Sequence, residues 1–211
     1  MQTATQRPDK RLSLQSIGQR FLVVPAAVEP PPAAGKIVLR IDAGAAFGDG
    51  AHPTTQLCLA ALERHHRPGA LIDLGAGTAI LSIAAARLGA APILAVDIDT
   101  ASVAIARANL ERNGVAGVVR VEEGSLADVL AGRCGLTRAP IVVANILANV
   151  LVDFFADGLA ETVEPGGLLI LSGILRMQGP DIRTRLSWHG MKLAAEEHRN
   201  DWLCIIARRT E

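Results

Sequence analysis

Short, uninterrupted apolar runs recur through the middle of the chain at residues 70–74, 93–96, 118–121, 141–144 and 168–171, with helix-like stretches between most of them. Strands that are apolar on both sides need both faces of their sheet covered, and parallel neighbours need crossover connections of about a dozen residues or more. The pattern predicts an α/β fold, a doubly wound and mostly parallel sheet with helices on two sides. The ending differs: residues 191–196 and 202–207 are joined by only a few polar residues, too few for a crossover, so this pair is antiparallel. Upstream, residues 21–24 and 36–41 read as two strands separated by a Pro-rich link, and residues 1–19 as a loosely ordered lead-in. A chain of 211 residues suits one domain with a sizeable core. The expected division is a lead-in with a short strand pair over residues 1–42, then the main domain over 43–211.

Composition narrows the partners. Lys plus Arg and Asp plus Glu balance at 21 each, so no global field draws the chain onto nucleic acid or acidic lipid. Only 3% of residues are aromatic and none is tyrosine, which leaves Ala, Val, Leu and Ile to build the core. Cys58, Cys134 and Cys204 are far apart and odd in number, as suits reduced thiols rather than a disulfide framework or a metal site. The N-terminus is polar, without the apolar core of a secretory signal, and no later segment reads as a membrane span. The expectation is a cytoplasmic protein with no metal. Arg7, Lys10, Arg11 and Arg20 make the lead-in a candidate docking arm.

Between the first strand and an Ala-rich apolar stretch over residues 80–88 stands Asp73-Leu74-Gly75-Ala76-Gly77-Thr78-Ala79-Ile80. Two glycines tighten the turn and let a ligand approach the main chain, and the following helix directs unpaired N–H groups toward the same place. Asp97 closes the next apolar run, about twenty residues beyond Gly75, where a carboxylate accepts hydrogen bonds from a ribose diol. Together these features predict an adenosine-bearing ligand. A dinucleotide fingerprint wants a third glycine where Ile80 stands. Asp73 would repel a pyrophosphate but accepts hydrogen bonds, directly or through water, from an ammonium group. S-adenosyl-L-methionine (AdoMet) has an ammonium group and a ribose diol and no phosphate. Asp73, Gly75, Gly77 and Asp97 are therefore expected AdoMet contacts, and a nicotinamide or flavin nucleotide is the competing ligand.

In open parallel sheets, ligands sit beyond the carboxyl ends of the strands. The loop after residues 36–41 contains Phe47-Gly48-Asp49-Gly50-Ala51-His52-Pro53-Thr54-Thr55. It reads as a mobile flap in which glycines act as hinges and Phe47 excludes water, with His52 anchoring the loop and Thr54 capping a helix over residues 54–65. Asn145 ends the strand at 141–144. It is either a turn-former or a catalytic group whose carbonyl oxygen accepts an amine N–H, so that the nitrogen lone pair faces the sulfonium methyl. Ser125, in Glu122-Glu123-Gly124-Ser125-Leu126, is a candidate adenine contact. Thr100 is a candidate cap for the helix that Asn113-Gly114 ends.

These segments, with Val96-Asp97-Ile98-Asp99, Val142-Val143-Ala144-Asn145-Ile146-Leu147-Ala148 and Leu171-Ser172-Gly173-Ile174-Leu175, stand in the order and spacing of the PrmA family. The chain resembles those bacterial methyltransferases, which act on a large-subunit ribosomal protein, from about residue 18 to residue 208. The resemblance implies a seven-stranded, Rossmann-like class I methyltransferase fold with an antiparallel C-terminal strand. It also implies methyl transfer from AdoMet to protein amines, a lysine side chain or an N-terminus. Carried over by motif, Thr55, Gly75, Asp97 and Asn145 are cofactor contacts, Ile98 joins Asp97 in that set, and Asn145 also lies near the acceptor nitrogen. Phe47 and Ile146 are expected to wall the acceptor pocket.

Three departures bear on the target. The family carries an N-terminal substrate-recognition domain ahead of the matched region, where this chain has a short lead-in. Asp49 and Ala51 stand in place of the usual threonines, and Ala79 replaces a frequent glycine, tolerably if the position is helical. A small-molecule acceptor, or a non-catalytic AdoMet-binding subunit, are the alternatives.

Overall fold

The computed structural model describes residues 14–33 and 35–210; Arg7, Lys10 and Arg11 of the expected docking arm lie outside them. The main sheet has seven strands in the order β6-β5-β4-β7-β8-β10-β9. They are β4 (Leu71–Leu74), β5 (Ile93–Asp97), β6 (Val119–Glu123), β7 (Ala139–Asn145), β8 (Val163–Leu175), β9 (Met191–Arg199) and β10 (Trp202–Arg209). Five of them, β6 to β8 in that order, are mutually parallel, and β10 runs antiparallel to both β8 and β9. The doubly wound sheet and its antiparallel C-terminal strand are as the apolar runs and the short final link required.

Alternation along the buried strands sends side chains to two cores. Leu71, Ala95, Ile141, Val143 and Ile170 meet helices α1 (Pro53–His65), α2 (Ile80–Leu88) and α3 (Thr100–Arg112) on one face. Ile72, Leu94, Val142, Leu169 and Ile205 meet α4 (Leu126–Leu130), α5 (Ala148–Ala156) and α6 (Gly179–Trp188) on the other. Ala84 and Ala85 are completely buried, their small side chains letting α2 lie close to the sheet, and Gly89, at φ 103°, ends that helix in the left-handed conformation.

A separate three-stranded sheet, β1 (Gln15–Ile17), β2 (Phe21–Pro25) and β3 (Ile37–Ile41), pairs antiparallel between β1 and β2 and parallel between β2 and β3. Residues 15–17 were expected within a loose lead-in; they form a strand because Ile17 is buried in the core that also takes Phe21, Val23 and Leu39. The free edge of β3 is met by side chains instead of another strand. Asn109 accepts the Asp42 N–H at 3.0 Å and donates to the Asp42 carbonyl at 2.9 Å. Asn113 repeats the pattern on Arg40 at 2.9 and 2.8 Å. Four residues of helix rise about 6 Å and two residues of strand about 6.6 Å, so two carboxamides one turn apart can imitate a strand. Helix α3 is capped by Asp99, whose carboxylate accepts from the Ala101 and Ser102 amides, and not by Thr100.

Candidate active site

The strand order runs one way through β6, β5 and β4 and reverses between β4 and β7, which opens a crevice at the carboxyl ends. A cavity of about 540 Å³ occupies it, lined among others by Gly75 and Gly77 after β4, Asp97 and Ile98 at the end of β5, Ser125 after β6, and Asn145 and Ile146 at the end of β7.

The glycine turn is fixed from several sides. Gly75 and Ala76 donate to the Val96 carbonyl at 2.9 and 3.0 Å, and Gly77 donates to Asp97 Oδ2 at 2.8 Å. Thr78 N–H reaches the Phe47 carbonyl at 3.0 Å and Ala79 N–H the Ala76 carbonyl at 2.8 Å. A Cβ on Gly75 would fall 2.4 Å from Ile146 Cγ2, and one on Gly77 2.4 Å from the Phe47 carbonyl oxygen, so both positions exclude a side chain. The consequence for ligand choice is direct: every backbone N–H from residue 75 to 79 already has an internal acceptor.

Asp73 is placed differently from the expectation. It is 1% exposed, and its Oδ2 accepts from the Ser82 amide at 3.1 Å and the Ser82 hydroxyl at 2.6 Å. It does not line the cavity, because β4 turns it toward the first turn of α2. The carboxylate thus occupies the helix-terminal position where a phosphate would bind. Burial pushes its pKa up to about 6, against the Ser82 hydrogen bonds that pull it down, with the Asp97 charge adding to the rise. Asp73 was expected to meet a ligand ammonium directly or through water; its side chain lies outside the cavity lining, with Oδ1 buried and unpartnered.

Thr55 also differs. It is 1% exposed and belongs to the buried stripe Thr55, Cys58, Leu59 and Leu62 of α1, while its neighbour Thr54 lines the cavity. Thr55 reaches the site through Asn145, whose Nδ2 donates to Thr55 Oγ1 at 3.4 Å. Asn145 Oδ1 is left buried without a partner.

The loop carrying Phe47, the expected flap, is gripped twice by Thr78: Thr78 Oγ1 donates to the Gly48 carbonyl at 2.7 Å, beside the amide bond to Phe47. His52 rather than Thr54 is the N-cap of α1, accepting the Thr54 N–H at 3.4 Å through Nδ1. Its ring stands edge-on to Phe47 at 5.3 Å and to Trp202 at 4.9 Å, and all three line the cavity. Burial lowers the His52 pKa below 6.5, with Asp49 pulling the other way, so the ring is neutral near pH 7. Trp202 was not anticipated; no local pattern marks a tryptophan at the start of a C-terminal strand as part of a distant site. Ala79 sits at φ 60° as the N-cap of α2, outside the helix, so helix propensity does not account for it.

Sheet order, antiparallel β10 and the crevice between β4 and β7 define a class I methyltransferase fold. A solved structure, the ribosomal protein L11 methylase from Lactobacillus delbrueckii subsp. bulgaricus, matches with a TM-score of 0.84 at 30% identity, covering 96% of this chain and 100% of that one. The family model for ribosomal protein L11 methyltransferase (PrmA) matches residues 8–210. The chain belongs to that family. Ribosomal protein L11 methyltransferases from Pelotomaculum thermopropionicum and Desulfosudis oleivorans are 41% and 40% identical over 192 and 199 residues, 90% and 93% of this chain. Those matches span 60% and 65% of the relatives' own lengths.

Proposed function

We propose that the chain binds AdoMet in this cavity and transfers its methyl group to an amine of a ribosomal protein, a lysine side chain or an N-terminus. The observation that carries the cofactor is the state of the glycine turn. With the amides of residues 75–79 internally bonded and the Asp73 carboxylate at the start of α2, a pyrophosphate finds neither free donors nor room for its charge. A ligand with a ribose and no phosphate meets no such conflict. Asp97 faces the cavity with each oxygen held by a backbone amide, Gly77 at 2.8 Å and Asp99 at 3.0 Å, and keeps lone pairs for a ribose diol. Gly75, Gly77, Ile98 and Ser125 complete the cofactor side.

When bound, AdoMet supplies an electrophilic sulfonium methyl. The protein's part is orientation and exclusion of water. Asn145 Oδ1, buried and unpartnered, accepts an N–H of the neutral amine and so directs its lone pair. At a reference pKa of about 10.4, roughly one lysine in 2,500 is neutral near pH 7, a cost of about 4 to 5 kcal/mol unless the site lowers that pKa. Phe47, Ile146 and Trp202, with neutral His52, make the acceptor side apolar and lower it by desolvation. Thr55 holds Asn145 from behind.

The relatives' names support a ribosomal-protein acceptor, and so does the rim. Phe47, Ile98 and Leu147 line the cavity and are 52%, 77% and 62% exposed, an apolar border suited to a protein surface. We take residues 1–42 as a lead-in with a short strand pair and residues 43–211 as the methyltransferase domain, acting in the cytoplasm without nucleic-acid or membrane partners; among the described residues no helix is long and apolar enough to cross a membrane. Methyl-labelled AdoMet added with large-subunit ribosomal proteins and a metabolite extract tests the proposal. Label in a ribosomal protein supports it. Label only in small solutes assigns a small-molecule acceptor, and binding without transfer makes the chain a non-catalytic AdoMet-binding subunit.

A further inference from the structure

Gln56 lies next to Thr55 on α1, yet its carboxamide does not line the cavity. Its Nε2 donates to the carbonyls of Gly50 at 3.0 Å and Ala51 at 3.2 Å, in the loop that bears Phe47 and His52. Its Oε1 accepts from Arg199 Nη1, at the end of β9, three residues before Trp202. The Gln15 amide of β1 lies 3.0 Å away and, with its nitrogen turned to the loop, donates to the Gly50 carbonyl at 2.7 Å as a second support. One side chain thus joins the two segments whose rings form the Phe47–His52–Trp202 row, from behind that row.

We infer that Gln56 is the positioning residue of the acceptor side, holding the loop and the β9–β10 hairpin at the separation that lets His52 stand between the other two rings. The inference rests on the reading of that side as the acceptor pocket. The chemistry demands a carboxamide. Two N–H groups are needed toward the loop carbonyls and one acceptor toward the arginine, all at once, and no other side chain of this length offers both. Thr78 holds the start of the loop and the Asp49 carboxylate accepts the Ala51 N–H at 2.8 Å within it, but Gly48 and Gly50 carry no side chain, and the tie from the loop to the end of β9 runs through Gln56.

The chain has two tryptophans, and Trp188, 71% exposed on α6, does not line the cavity. In a Trp188→Phe background, Trp202 is the sole tryptophan and reports on the row directly. Gln56→Met, similar in length and helix-forming, is expected to raise acrylamide quenching of Trp202 about threefold, the change in open population that one lost hydrogen bond of ordinary net strength produces. Arg199→Met should give the same effect through the other arm. Circular dichroism and the Kd for S-adenosylhomocysteine should stay within about twofold, and KM for the ribosomal acceptor should rise up to about threefold with kcat nearly unchanged, as for lost uniform binding. Unchanged Trp202 quenching in both variants overturns the inference. So does an equal loss of S-adenosylhomocysteine binding, which marks general loosening. If the parent protein binds no S-adenosylhomocysteine, the cofactor reading fails, while the Trp202 comparison still decides the role of Gln56.

Discussion

The Asn145 amide nitrogen lies 3.4 Å from the Thr55 hydroxyl oxygen, and this contact leaves the carbonyl oxygen of a residue that lines the cavity buried and unpaired. A buried acceptor without a partner costs about 1 to 3 kcal/mol, and such an atom is an address for a donor brought in by a ligand. Here the donor is the N–H of the methyl acceptor.

Asn145→Ala is therefore expected to lower kcat about a hundredfold. The Kd for S-adenosylhomocysteine should change by less than about tenfold, because Asp97 and the glycine turn are untouched. Equal losses in turnover and affinity, or no loss, remove Asn145 from the acceptor role. Steady-state kinetics beside calorimetric titration reads both quantities.

Asp73 gives a pH prediction. Its folded pKa of about 6 lies above the ordinary 3.8, so between those values the folded protein holds a proton that the unfolded chain has released. The contribution to stability is full below 3.8, is lost as the pH rises to about 6, and is constant above that. The loss is about 3 kcal/mol for the fully buried group. Asp73→Asn keeps an oxygen for Ser82 and carries no charge. Urea melts of both proteins from pH 4 to 7 should show the decline in the wild type only.

Ala79 should profit from becoming glycine. At φ 60° a Cβ costs about 1 to 2 kcal/mol, partly offset by the extra freedom glycine gains in the unfolded chain. Once the loss of a fully buried methyl is also set against the strain, Ala79→Gly is expected to raise stability by at most about 0.5 kcal/mol, seen as a slightly higher midpoint of chemical denaturation, and a clearly lower midpoint contradicts the strain.

The cofactor half of the site was legible because one short stretch builds it: a strand, two glycines, a helix and an acid at the end of the next strand. Asn145 was legible as the polar end of an apolar strand. The faces of individual residues were harder. Alternation along β4 puts Asp73 with Leu71, under α2, and the spacing of Thr55 with Cys58, Leu59 and Leu62 puts Thr55 in a buried stripe; both signals were present and were outweighed by motif. The Phe47–His52–Trp202 row was not legible. It depends on a hairpin closing against a loop about 150 residues earlier, held by Gln56 and Arg199 through contacts no local pattern encodes. The strand-like carboxamides of Asn109 and Asn113 were hidden for the same reason, one of them beneath an ordinary helix-stop signal.

Calorimetric titration of the chain with AdoMet and, separately, with NADH distinguishes the two ligands directly. One AdoMet should bind per chain and NADH should not, and Asp97→Ala should weaken AdoMet about ten- to a hundredfold, the worth of hydrogen bonds to a charged acceptor. Tight NADH binding with no AdoMet binding would contradict the assignment.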